Sequence, residues 1–179
     1  MRVITGSARG RRLNELKGME TRPTTDKVKE SVFNCIQFDV ENARVLHLFA
    51  GTGQLGIEAL SRGAKECVFV DSSRESVKLV KENLRRCELS ANVMQCDALG
   101  YLRGCGKFDL IFLDPPYGTG QDAAAMLAVK EFDILTKGGI MVCESRPETV
   151  LPELPAEYGT TRVYRYGKIK LTVFTRGND

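Results

Sequence analysis

The stretch from Arg44 to Gly56 admits few folds. Arg44-Val45-Leu46-His47-Leu48-Phe49 is an apolar run of strand length that passes straight into Ala50-Gly51-Thr52-Gly53-Gln54-Leu55-Gly56. Near-continuous hydrophobicity marks a strand buried on both faces, the pattern of a parallel sheet covered by helices. Gly51, Gly53 and Gly56 spell G-x-G-x-x-G, so strand, glycine turn and helix are predicted in succession. A second run, Cys67-Val68-Phe69-Val70, ends on Asp71, 20 positions after Gly51. That spacing puts a carboxylate at the next strand's tip, where it can accept from ribose hydroxyls, while the glycines let backbone approach a ligand closely. An adenosine-bearing cofactor is expected; the plainer alternative is a structural turn with a capping acid.

A second constellation follows another buried strand, Phe108-Asp109-Leu110-Ile111-Phe112-Leu113. Its carboxyl end carries Asp114-Pro115-Pro116-Tyr117 and then Gly118. In open α/β sheets ligands bind at that edge. A carboxylate only accepts hydrogen bonds, and Pro115 has no N–H but keeps its carbonyl, so the pair offers acceptors for both hydrogens of an exocyclic amine. Tyr117 offers a face on which a base can stack. Held this way, the amine nitrogen can turn its lone pair toward an electrophile. The competing reading is a surface turn, because proline and glycine after a strand punctuate many chains.

Elsewhere the elements are legible in outline. Residues 2–13 alternate around Gly6, Ser7 and Gly10 and predict a short β-hairpin or arm, with the fold proper over residues 21–179. Arg22-Pro23-Thr24-Thr25-Asp26 predicts a turn and a helix N-cap at Thr25 or Asp26. The following helix should bury Val28, Val32, Phe33 and Ile36 and expose Lys27, Lys29, Glu30 and Asn34. A helix from Ser73 has Val77, Val80, Leu84 and Cys87 on one face. Asn92-Val93-Met94-Gln95 predicts a short strand leading to Asp97, which can cap the next helix or accept from an adenine amino group. After a loop at Gly118-Thr119-Gly120-Gln121, a helix is expected from Asp122 through Leu135, ended by Gly138 and Gly139, then a strand over Ile140–Glu144. Thr161–Tyr166 and Ile169–Phe174 flank Gly167-Lys168, a two-residue hairpin signal. No linker divides the 179 residues, so one domain is expected.

Charge enters through its distribution. The net charge is only +3, yet residues 1–30 hold eight Lys/Arg against four Asp/Glu. Arg9, Arg11 and Arg12 lie nearly together there, which suits a polyanion such as nucleic acid or, more blandly, a solvated leader. The six cysteines form no C-x-x-C pair and read as reduced core residues, with no metal site expected. No run approaches the about 20 apolar residues of a membrane span, and the N-terminus lacks the apolar core of a signal peptide, so a cytoplasmic protein is expected.

The glycine fingerprint alone would fit NAD, but a dehydrogenase needs a hydride partner and a proton relay. The one histidine, His47, lies within a strand, and the best-equipped site grips an amine. S-adenosyl-L-methionine (SAM) suits both constellations. Phe49-Ala50-Gly51-Thr52-Gly53 followed by Asp114-Pro115-Pro116-Tyr117 is similar to the class I methyltransferases of exocyclic base amines. With Arg22–Glu30 and Leu55–Gly63 added, the chain resembles the bacterial RsmD family, which methylates guanine N2 in 16S ribosomal RNA.

The resemblance implies a Rossmann-like class I methyltransferase, an α/β fold with a mostly parallel sheet, helices on both faces, an antiparallel C-terminal hairpin and a short N-terminal β arm. It implies that Phe49, Gly51 and Gly53 line the cofactor, that Asp71 takes the ribose and Asp97 the adenine, and that Asp114, Pro115 and Tyr117 hold the guanine. Arg9, Arg11, Arg12 and Arg22 would grip RNA, and the small ribosomal subunit or a late assembly intermediate would be the partner. The expected product is methylation of guanine 966. The alternatives are an adenine-N6 methyltransferase on DNA or RNA, and a non-catalytic assembly factor binding SAM and RNA. One departure stands out: the family usually has an acid where this chain has His47, near the methionine amino group. Either cofactor binding is weakened there or His47 is a core side chain bonded to backbone.

Overall fold

The computed structural model describes residues 1–17 and 26–178. The elements run α1 (Asp26–Cys35), β1 (Arg44–Leu48), α2 (Gln54–Ser61), β2 (Glu66–Asp71), α3 (Arg74–Arg86), β3 (Asn92–Gln95) and α4 (Ala98–Leu102). They continue with β4 (Phe108–Leu113), α5 (Gln121–Glu131), β5 (Leu135–Ser145), β6 (Tyr158–Tyr166) and β7 (Ile169–Arg176). Among the described residues the strands form one seven-stranded sheet in the order β3-β2-β1-β4-β5-β7-β6. β1 through β5 pair in parallel, and β7 runs antiparallel to both β5 and β6. This is the expected Rossmann-like sheet with an antiparallel C-terminal hairpin, turning on Gly167-Lys168 between the paired Tyr166 and Ile169.

The apolar runs are continuous because both faces of the sheet are covered. Val45, Phe112 and Val142 share one core with Val32 and Phe33 of α1, Ile57 of α2 and Val80 of α3. Leu46, Leu48, Ile111 and Leu113 share the other with Met126 and Val129 of α5 and Leu102 of α4. Each such side chain removed from water contributes about 1.5–3 kcal/mol. The strand order reverses between β1 and β4, and that reversal opens a crevice at their carboxyl ends.

Residues 1–13 fold back on themselves as expected of an arm, with one antiparallel bridge, Arg2 to Arg12, and a hydrogen bond from the Val3 N–H to the Arg11 carbonyl (2.9 Å). Val3, Ala8 and Leu13 are buried in the core shared with α1 and α2. The Ser7 N–H donates to the Ser61 carbonyl (2.8 Å) and the Ala8 N–H to Ser61 Oγ (2.9 Å), so the arm's turn docks on the C-terminal end of α2.

Several expectations change. Lys29 is buried, not on a solvated face: its ammonium lies 3.5 Å from Glu58 Oε2 and donates to the Arg2 carbonyl. The α5 helix stops at Glu131, not Leu135. Asp133 adopts a left-handed conformation (φ 54°), its carboxylate is held by Lys107 (2.5 Å) and by Arg176, and the chain turns there into β5. β5 therefore starts at Leu135, and the residues around Gly138 and Gly139 form an irregularity inside the strand where the pairing with β4 shifts register. β6 begins at Tyr158, three positions before the expected start. Of the cysteines, Cys67, Cys87 and Cys143 are buried while Cys35, Cys96 and Cys105 are half-buried, so only half of them are core residues. α1 starts at Asp26, and the expected cap at Thr25 lies outside the described residues. Among the described residues no helix is long and apolar enough to cross a membrane.

Candidate active site

β1 delivers Phe49 and the glycine turn to the crevice. The backbone from Phe49 (φ 56°) through Gly51 (φ 58°) to Gly53 (φ 81°) is left-handed at alternate residues, which glycine tolerates and other residues adopt only under strain. The turn closes through Gly53 N–H to the Ala50 carbonyl (2.7 Å), and α2 starts at Gln54. Gly56 serves packing: a Cβ there would lie 2.3 Å from Phe69 Cε1, so only glycine lets α2 lie this close to β2. Asp71, at the tip of β2, accepts from the Gly51 N–H through Oδ2 (3.0 Å) and from the Ser73 N–H through Oδ1 (2.8 Å). Each oxygen keeps a lone pair for a further donor.

β4 lies beside β1, with Leu48 paired to Leu113, so Asp114 emerges next to the glycine turn. Pro115 is buried, Asp114 and Tyr117 are half-buried, and Pro116 is exposed. The Thr119 hydroxyl donates to the Pro116 carbonyl (2.8 Å) and steadies the loop before α5. Tyr117 is fixed from the far side: its hydroxyl donates to the Lys168 carbonyl (3.5 Å), and the Arg146 guanidinium lies 4.9 Å from its ring centroid.

One cavity of about 530 Å³ joins these parts. Phe49 to Thr52, Gln54 and Leu55 form one side, Asp71 to Ser73 the next, and Asp114 to Tyr117 with Gln121 the opposite side. Met1, Glu15 and Leu16 close it from the arm. The two constellations read from sequence therefore meet in one space.

His47 lies against this cavity and is 1% exposed. Its Nδ1 accepts from the Gly56 N–H (3.3 Å), and the rings of Phe69 and Phe112 stand 5.8 and 5.9 Å away. Burial pushes its pKa down to about 3, so it is neutral at physiological pH. The core reading of His47 holds, since it is buried and bonded to backbone, and it also borders the cavity. Gln54, 7% exposed, also lines the cavity, and its Oε1 has no hydrogen-bond partner among the described residues. A buried carbonyl oxygen left unpaired costs about 1–3 kcal/mol, so it marks a place for a donor on a ligand.

Other expected site residues lie apart. Asp97 caps α4, accepting from the Gly100 N–H (2.9 Å), but it is exposed and outside the cavity lining. Arg9 and Arg12 are exposed on the arm. Arg11 donates to the Arg86 carbonyl (2.8 Å) and pairs with Glu88 (3.1 Å). Arg22 lies outside the described residues. Sequence reading missed Gln54, Arg146 and the buried Glu58, whose carboxylate accepts from the backbone of Ile4 (2.9 Å) and Thr5 (3.0 Å) and from Arg62 (2.9 Å). The sequence signal for Glu58 was a lone acid between Ile57 and Ala59 on an otherwise apolar helix.

Comparison with known proteins agrees with this architecture. The family described as "Conserved hypothetical protein 95" matches residues 1–175. The Escherichia coli (strain K12) protein "Ribosomal RNA small subunit methyltransferase D" is 30% identical over 178 residues, 98% of this chain and 90% of that protein. The Bacillus subtilis protein YlbH is 43% identical over 182 residues, covering 98% of this chain and 99% of its own length. The solved structure of Escherichia coli yhhF superposes with a TM-score of 0.90 at 30% identity, over 100% of this chain and 99% of that one. The chain therefore belongs to the conserved hypothetical protein 95 family, the RsmD family of methyltransferases.

Proposed function

We propose that this enzyme transfers a methyl group from SAM to the exocyclic N2 amine of a guanine in 16S ribosomal RNA, at position 966, on the small subunit or a late assembly intermediate in the cytoplasm. The observation that carries the reading is the single cavity bounded by the glycine turn and Asp71 on one side and by Asp114-Pro115-Pro116-Tyr117 on the other. The cofactor fits the donor set: Asp71 retains acceptor capacity for ribose hydroxyls, and the unpaired Gln54 Oε1 suits the ammonium of its amino-acid end. When bound, SAM supplies an electrophilic methyl on a sulfonium.

The chain's own residues do the positioning. The Asp114 carboxylate and the Pro115 carbonyl each accept one hydrogen of the target amine, which fixes its plane and aims the nitrogen into the cavity. Tyr117 stacks on the base. After transfer the nitrogen carries an extra proton and is acidic enough to give it to Asp114 or to water, so no separate base is needed. A base reaches such a pocket only out of its stack, which favours a loop or a partly assembled particle as substrate.

The test is tritiated-methyl transfer to undermethylated small subunits, naked RNA and DNA, with Asp114→Ala beside the wild type. Transfer to RNA that falls by at least about a hundredfold in Asp114→Ala, while S-adenosylhomocysteine still binds by calorimetry, is the expected result. No transfer by the wild type, with RNA binding intact, would leave the assembly-factor reading standing in its place.

A further inference from the structure

Two basic residues that the sequence reading did not single out, Arg146 and Lys168, lie next to the reaction centre. The turn of the arm docks on Ser61 at the C-terminal end of α2, whereas the cavity opens at Gln54, the helix's first residue. Seven steps at about 1.5 Å rise separate the two by roughly 10 Å. Arg11 and Arg12 lie against Arg86 at the C-terminal end of α3, while the next residue, Leu13, donates its N–H to the carbonyl of Met1, which lines the cavity.

Beside Asp114-Pro115-Pro116-Tyr117, positive charge comes from the C-terminal part of the chain. β5 runs parallel to β4, so Arg146, directly after β5, emerges beside the Asp114 loop, and the antiparallel β6–β7 pair brings its turn to the same edge. Arg146 lies against the Tyr117 ring, keeps 56% of its side chain exposed, and pairs at the long distance of 4.0 Å with Glu148. Lys168 forms the turn, its carbonyl receives the Tyr117 hydroxyl, and its side chain is exposed. Two cations beside an aromatic ring that lines a base-sized pocket suit single-stranded nucleic acid, phosphates taking the charges and a base the ring face.

We infer that Arg146 and Lys168 form a surface that holds the RNA strand beside the flipped base. Arg146 stands over the Tyr117 ring, so that ring links the basic surface to the pocket. This rests on the proposed RNA methyltransferase reading and names one place where its substrate runs: over the β6–β7 turn beside Tyr117.

The test compares Arg146→Gln/Lys168→Gln with Arg9→Gln/Arg12→Gln in methyl transfer to undermethylated small subunits across a salt series. The hairpin pair should raise KM about tenfold or more and lower the slope of log KM against log salt by about 1.4, some 0.7 for each single-strand phosphate no longer neutralised. Its S-adenosylhomocysteine affinity should stay within about twofold of wild type, and the arm pair should change KM by less than the hairpin pair. An unchanged KM and salt slope in the hairpin pair overturns the inference, as does a loss of S-adenosylhomocysteine affinity alongside the KM change, because that means a structural role. Absence of RNA methylation by the wild type would instead sink the underlying function.

Discussion

At the scale of single residues the site works by leaving particular atoms unsatisfied and others fully occupied. Gln54 is buried at the start of α2 with a free acceptor, so Gln54→Ala should weaken S-adenosylhomocysteine binding about tenfold, the worth of a hydrogen bond to a charged group. Calorimetry with 5′-methylthioadenosine, which lacks the amino-acid end, should show no change; an equal loss for both ligands would contradict the assignment. His47 shows the opposite condition, buried and already bonded through Nδ1. Its folded pKa of about 3 lies below the ordinary value of 6.5, so the unfolded chain binds the extra proton between those values. The stability from neutral His47 is therefore complete above about pH 6.5 and declines as pH falls toward 3. At pH 5 the loss is about 2 kcal/mol. Urea unfolding of wild type and His47→Gln at pH 7 and pH 5 should show the variant's stability falling less by roughly that amount; identical falls would remove His47 as the cause.

Among the elements, the arm depends on α2. Glu58, Lys29 and Arg62 form a buried ionic cluster whose carboxylate also accepts two backbone N–H groups of the arm, at Ile4 and Thr5. Removing one partner of a buried ion pair strands the other, at a cost of about 3–5 kcal/mol. Glu58→Ala should lower unfolding free energy by about that much and speed amide hydrogen exchange at Ile4 and Thr5 beyond the rest of the sheet. Unchanged exchange there would show that Val3, Ala8 and Leu13 alone hold the arm. Gly56→Ala should destabilise by about 1–3 kcal/mol in the same unfolding measurement, since its methyl meets Phe69. These cases mark where reading the sequence stops. Strand positions were legible because continuous apolar runs have one common explanation, and the helix after Ser73 was legible because Val77, Val80 and Leu84 recur on one face. Lys29 was not: helical periodicity gave it a solvated face, and only α2, remote in sequence, supplies the carboxylate that lets it be buried. The end of α5 was missed for the same reason, because Asp133 is held by Lys107 and Arg176 from other parts of the chain.

For the whole molecule, sheet order decides what meets what. Tips of strands far apart in sequence, β1 and β4, become neighbours at the reversal in strand order, so the glycine turn and Asp114-Pro115-Pro116-Tyr117 face one cavity. Each half of that site was readable from local spacing, and their shared space followed once both were placed at carboxyl ends of parallel strands. The placement of basic residues was not readable, because charge density along the chain says nothing about which edge of the sheet an arginine reaches. The arm's own turn docks on the end of α2 away from the crevice, and the unremarkable C-terminal turn lies beside Tyr117. The most direct measurement is the identity of the nucleoside labelled when undermethylated small subunits are incubated with tritiated SAM, digested and chromatographed. Label in N2-methylguanosine, absent with Asp114→Ala, is the expected result; label in N6-methyladenosine, or none with the wild type, contradicts it.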